Sequence, residues 1–149
     1  MATLPSFPQA AFVERLRSLD PTVALRTDAA IPPLLVATSD PAAPWRLSDT
    51  GHWLLQLLLA RQALLQATHA TTLSADALRR DQKFAPPGRP PLHLVQLRQQ
   101  QAAAQQALRR AKQELAQAAV GFARSAGLSP PGKQGLSDFL LDWIERNVV

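Results

Sequence analysis

Residues 91–127 read PLHLVQLRQQQAAAQQALRRAKQELAQAAVGFARSAG, and this stretch decides the fold. Its apolar positions recur in steps of three and four, the heptad pattern of a helix that keeps one stripe against a partner helix. Eight of the nine positions of this seam are apolar: Leu94, Leu97, Gln101, Ala104, Leu108, Ala111, Leu115, Ala118 and Phe122. Pro91 suits a first turn and Gly127 suits a helix end. The pattern predicts one helix over about 92–126.

A helix of this length needs a long neighbour. About 35 residues at 1.5 Å each make a rod of roughly 50 Å, whereas a compact chain of 149 residues is only about 38 Å across. Residues 49–84 supply the candidate partner, with Ser48 as N-cap and Asp49 in the first turn. We expect either one arm over 49–84, bent near Thr71, or two helices with Ser74 capping the second.

The segment between the two arms reads APPGRPP over 85–91, a composition typical of a turn. Two arms of nearly equal length joined by a short loop predict an antiparallel hairpin. Folding about Gly88 would place Leu54 opposite Phe122 and Ala75 opposite Gln101. The apolar matches lie far from the turn, so we expect a well-packed base and a looser tip.

The N-terminal region, residues 1–47, is predicted to hold a short helix and a small β-hairpin. Phe12, Val13 and Leu16 share one face of a helix over 8–19, which Asp20 and the following proline would end. The β-branched stretches 22–27 and 34–38 read as two strands. Together with the arms, this predicts a mainly α fold in a single domain over 1–149.

Residues 128–149 are predicted to form a linker and a final amphipathic helix, with Ser137 as its cap and Asp138 in its first turn. The apolar face of this helix consists of Phe139, Leu140, Trp143 and Ile144. If the seam pairs between two chains, we expect this face to be an interaction surface for a partner.

The charge of the chain is concentrated in one window. The formal net charge is +5. Within 79–112, Asp81 is the single acidic residue against eight basic ones, a net of +7, and the residues on either side sum to −1 each. The eight basic residues are Arg79, Arg80, Lys83, Arg89, Arg98, Arg109, Arg110 and Lys112. Such an asymmetry favours a polyanionic partner.

The sequence presents no pattern of catalytic or metal-ligating residues. There is no cysteine, and His52, His69 and His93 are scattered without carboxylates at helical spacing. The glycines form no phosphate-binding loop. We therefore expect a protein without enzymatic activity, metal or cofactor. The N-terminus lacks the pattern of a secretion signal and no apolar run is long enough to span a bilayer, which predicts a cytoplasmic protein without membrane contact.

Two functions fit these features. The first is nucleic-acid binding through the eight basic residues, which would contact phosphates, with DNA favoured over RNA, as a regulator or as a subunit of a nucleoprotein complex. The second is a protein-interaction or assembly module, a helical adaptor or homo-oligomer that pairs through the helical seam without nucleic acid.

Residues 45–55, WRLSDTGHWLL, resemble the junction between wing and helix in winged-helix regulators of the MarR and PadR type. In those proteins a strand leads through a similar motif into a long dimerisation helix. This resemblance implies a strand over the first residues and a long helix after them. About 45 residues precede the junction, and Pro32, Pro33 and Pro41 interrupt them, so the resemblance implies a truncated version without a normal recognition helix.

Overall fold

The computed structural model describes residues 7–23, 25, 31–84 and 92–148. Their elements follow in the order α1 (Ala10–Arg17), β1 (Leu35–Ala37), β2 (Trp45–Leu47), α2 (Asp49–Phe84), α3 (Leu92–Ala126) and α4 (Leu136–Asn147). The two long helices, α2 and α3, pack against each other along their length. The prediction of a mainly α fold built on a long antiparallel hairpin is confirmed.

The alignment of α2 with α3 lies within two residues of the predicted one. Near the base, the hydroxyls of Thr50 and Ser125 share a hydrogen bond of 2.8 Å. Further out, Thr71 Oγ1 lies 3.3 Å from the carbonyl oxygen of Ala104. Close to the outer end, Asp81 pairs with His93. The heptad seam of α3 is therefore occupied by α2 of the same chain.

Of the two alternatives for the first arm, the structure forms a single helix of 36 residues. Its threonines do not interrupt it because their hydroxyls bond within the helix. Thr68 and Thr71 each donate to the carbonyl four residues earlier at 2.8 Å, which satisfies the hydroxyl without breaking the backbone ladder. Ser74 donates to the carbonyl of Thr71 at 3.0 Å and caps no second helix.

The predicted ends of the two long helices are confirmed. Ser48 Oγ accepts the backbone N–H of Gly51 at 3.0 Å, as an N-cap does. At the same end of the hairpin, Gly127 follows the last residue of α3 and has a positive φ of 71°. The N–H of Leu128 then reaches the carbonyl of Ala123 at 2.9 Å, which closes α3 in a Schellman motif.

Helix α1 lies inside its predicted range and buries Phe12, Val13 and Leu16. It is shorter than 8–19 because Leu19 turns into the left-handed region, with φ 58°. Asp20 then donates its backbone N–H to the carbonyl of Arg15 at 3.0 Å and closes the helix.

The predicted pairing of a strand over 22–27 with a strand over 34–38 is wrong, because the first of these two strands does not form as predicted. β1 lies within the predicted 34–38, but it pairs antiparallel with β2, Leu35 opposite Leu47. Residues 22, 23 and 25 are not in a strand, and the rest of 22–27 lies outside the described residues. The carboxylate of Asp20 accepts the Thr22 N–H at 2.9 Å, and this turn replaces the extended backbone that a strand needs.

Helix α4 lies with its apolar face in the core of the same chain. Leu140, Trp143 and Ile144 are buried, and the half-buried Phe139 packs against the same core. The rings of Trp143 and Phe122 lie 5.2 Å apart. The predicted interaction face is thus used inside the chain, because α3 offers it a ready apolar surface. Ser137 is no cap either: α4 begins at Leu136, with Gly135 in the N-cap position.

Candidate nucleic-acid interface

The hairpin has two sides, which the seam separates. Successive residues of a helix are turned by about 100°, so residues just before a seam position lie on one side and residues just after it lie on the other. On α2 the seam runs through Thr71, Ala75 and Leu78. We call the side with the preceding residues the groove side, because three surface cavities lie along it.

The opposite side is covered at its base. Gly51 lies there, and its backbone approaches the Leu34 carbonyl so closely that an added Cβ would be 2.1 Å from the oxygen. On α3, Ala119 and Ala123 follow seam positions and are buried. α1, α4 and the segment that leads into β1 therefore pack on this side, and they leave its outer half uncovered.

The uncovered half carries five of the eight predicted phosphate-binding residues. On α2, Arg79 follows the seam residue Leu78, and Lys83 follows Gln82, the next seam position. On α3, Arg98, Arg109 and Lys112 each directly follow a seam residue in the same way. All five side chains are exposed. We call this set, Arg79, Lys83, Arg98, Arg109 and Lys112, the basic face.

Among the described residues, Asp76 is the one acidic residue on that half. It pairs with Arg79 across one helical turn at 2.6 Å, in a pair that is exposed to solvent on both sides. An exposed pair of this kind is worth at most about 1 kcal/mol. The formal charge of the basic face together with Asp76 is therefore +4.

The basic face extends along the hairpin axis. Because Asp81 lies beside His93, Lys83 lies at the outer end of the face and Lys112 lies about 20 residues nearer to the base. At 1.5 Å per residue this spacing corresponds to about 30 Å. One turn of a DNA duplex is about 34 Å, so the face matches the length of roughly one turn.

The other three predicted residues do not join this face. Arg80 lies on the side of α2 that is remote from α3, and it is exposed. Arg110 lines one of the cavities on the groove side. Arg89 lies outside the described residues. The basic residues of 79–112 are thus divided between two sides of the hairpin. This division can be read from the heptad spacing only when the seam of each helix is known.

The groove side has a different character. Its three successive cavities have volumes of about 240, 350 and 410 Å³. Alanines of both helices and the large apolar side chains of Trp53, Leu59 and Leu73 line them. Polar and charged side chains complete the lining: Gln56, Gln66, Ser74, Gln100, Arg110, Glu114 and Gln117. None of the described segments outside the hairpin takes part in their lining. The predicted interaction surface was the apolar face of α4, and no prediction concerned this side of the hairpin.

Sequence reasoning also missed an ion pair between the hairpin and α4. Arg61 donates to Glu145 at 2.7 Å, and the Arg61 side chain is only 16% exposed. The two residues are 84 positions apart, and no local pattern connects them. This pair lies where the covered base gives way to the outer half.

Among the described residues, no cluster of three or more His, Asp or Glu side chains is placed to hold a metal ion. Within the same residues, no helix is both long enough and apolar enough to cross a bilayer.

The junction that resembles winged-helix regulators has the implied local structure. Trp45–Leu47 is a strand, and α2 begins at Asp49. Among the described residues, α1 is the one helix before it. Comparison with protein-family models, curated proteins and solved structures finds no match to this chain.

Proposed function

We propose that this protein binds nucleic acid, with duplex DNA favoured, by placing the phosphate backbone along the basic face. The observation that carries the proposal is the collection of five exposed cations on one side of the hairpin, where Asp76 is the one acidic residue of the described part of the chain. Cations that neutralise phosphates release condensed counterions, and this release provides affinity that depends little on base sequence.

The composition of the face favours backbone contact over recognition of bases. Between the cations lie mostly glutamine, threonine and alanine side chains, and His69 is the one aromatic ring at these positions among the described residues, so stacking of unpaired bases has little support. Rigid helices of this length lie along a duplex more readily than they enclose a single strand. A duplex that lies along the hairpin would meet cations over about one turn.

The test is fluorescence anisotropy of a labelled duplex of mixed sequence, titrated at several salt concentrations. With five phosphate contacts, the logarithm of the binding constant should fall against the logarithm of salt concentration with a slope of about −4 to −5. Reversing Arg98, Arg109 and Lys112 to Glu should abolish measurable binding and leave the helical circular dichroism signal unchanged.

The matched control reverses Arg17, Arg46 and Lys133 to Glu. These three residues are exposed and lie outside the basic face, and the change in net charge is the same. The control should keep at least about a tenth of the affinity, because distant charges are screened beyond about 10 Å at 0.1 M salt. Equal loss in both variants, or no binding of the wild-type chain to duplex at low salt, would refute the proposal.

A further inference from the structure

The groove side of the hairpin is an alanine-rich surface of mixed polarity, and none of the described segments outside the hairpin covers it. Its cavities follow one another from Trp53 near the base to Ala77 near the outer end. Leu73 contributes there a large apolar side chain that is 42% exposed. The opposite side, in contrast, is covered at the base and basic further out. The two sides of the same helices are therefore built for different neighbours.

The charges on the groove side are of mixed sign. Asp49, Asp81 and Glu114 precede seam positions, and so do Arg110 and Arg124. Three negative and two positive charges give a net of −1, whereas the formal charge of the basic face together with Asp76 is +4. A polyanion gains nothing by lying here. A surface of mixed sign and little net charge can meet a copy of itself with little repulsion.

The size of the groove side corresponds to a stable interface. From residue 53 to residue 81 the helix axis extends about 42 Å, and two helices packed 8–10 Å apart present a strip about 18–20 Å wide. This is roughly 800 Å² for each chain, which is what one partner buries in a protein–protein interface of standard size. Alanines along the strip let the helices of a neighbour approach closely.

We infer that the groove side binds a second copy of this chain, and that the two hairpins form a four-helix bundle about a two-fold axis. A closed symmetric dimer uses the same patch on both chains, which suits a patch of mixed sign and little net charge. The inference rests on the groove side and does not depend on nucleic-acid binding. In such a dimer the two basic faces point outward, away from the shared interface.

The test is the mass of the chain in solution, measured by light scattering and sedimentation over a range of concentrations. We expect twice the chain mass of 16.2 kDa. The double variant Ala70→Glu, Ala107→Glu should be monomeric, since both alanines lie on the groove side and buried carboxylates would repel each other across the interface. Both positions are exposed in the single chain, so its fold should not change.

The control is the double variant Ala102→Glu, Ala116→Glu. Both of these alanines are exposed and helical, but they follow seam positions and lie on the opposite side. This variant should remain dimeric with the affinity of the wild type. A wild-type chain that stays monomeric at hundreds of micromolar, or a groove-side variant that dimerises as well as the control, would overturn the inference.

Discussion

The base of the hairpin and its outer half are made of the same two helices, yet they bury side chains very differently. At the base, Leu54, Leu57 and Leu58 of α2 are fully enclosed, because α3, α4 and α1 approach from several directions. Beyond Ala60, no described residue of α2 is fully buried. Among the described residues, the outer half is held by the α2–α3 pair.

The comparison indicates that one region of the chain provides most of the folding stability and the other provides exposed surface for binding partners. Burial at the base supplies the apolar free energy, about 25 cal/mol for each Å² removed from water. The outer half has few buried groups, and its surfaces remain available for partners. The following predictions test this difference in burial between the base and the outer half.

The largest expected effect comes from removing a leucine at the base. Leu57→Ala should reduce the free energy of unfolding by about 3 kcal/mol, because Leu57 is fully buried and a cavity remains. Leu78→Ala, on the same helix but half-buried in the outer half, should cost about 1 kcal/mol. Urea denaturation of both variants measures the two values. Equal losses would show that the outer half is as tightly packed as the base.

A smaller effect is expected from adding one methyl group at the base. Gly51→Ala would place Cβ 2.1 Å from the backbone oxygen of Leu34, and a backbone atom cannot move aside as a flexible side chain can. The expected loss is about 1–3 kcal/mol, measured as a shift of the melting temperature. The control is Gly135→Ala, where the nearest atom to the new Cβ is 3.8 Å away. A Gly51→Ala protein as stable as that control would contradict the close packing of Leu34 on α2.

The ion pair between Arg61 and Glu145 marks the boundary between the two regions. Glu145→Gln leaves the largely buried guanidinium without its carboxylate. We expect a loss of about 1 kcal/mol, moderated by solvent because Glu145 is half exposed. A double-mutant cycle with Arg61→Met isolates the coupling. Glu14→Gln is the matched control, since the contact of Glu14 with Arg17 is 3.9 Å long and exposed. A coupling free energy of zero between Arg61 and Glu145 would contradict the contact between the hairpin and α4.

The smallest effect concerns Asp20, outside both regions of the hairpin. Hydrogen bonds from the Thr22 backbone N–H and hydroxyl hold the pKa of the Asp20 carboxyl below its ordinary value of 3.8. A lowered folded-state pKa stabilises the fold above the unfolded-state pKa, and this stabilisation is lost as the pH falls through the folded-state pKa. The stability difference between wild type and Asp20→Asn should therefore be constant near neutral pH and vanish in acid.

An NMR titration of the Asp20 carboxyl carbon measures this pKa directly. Thr22→Val removes the hydroxyl donor and keeps the backbone N–H, so the pKa should rise only part of the way to the ordinary value. A pKa at the ordinary value in the wild-type chain would contradict the turn that ends α1.

Local patterns were enough to predict the helices, their approximate ends and their pairing. The seam of α3, the cap at Ser48 and the left-handed Gly127 each depend on residues within one or two turns. Their free energies are local, so the linear order of residues carries them. The concentration of basic residues in 79–112 is equally a property of the sequence, and most of it does lie on one surface.

Other features depended on contacts between distant parts of the chain. The partner of β1, the burial of Trp143 and the pairing of Arg61 with Glu145 are decided by which surfaces meet, and many arrangements of the ends share the same local patterns. The division of the hairpin into a basic face and a groove side was likewise decided by the tertiary structure. The sequence by itself determined two amphipathic rods and their charge; only the packing of α1, α4 and the strands against one side determined which surfaces stay exposed, because burial is a property of the assembled layers and not of any one helix.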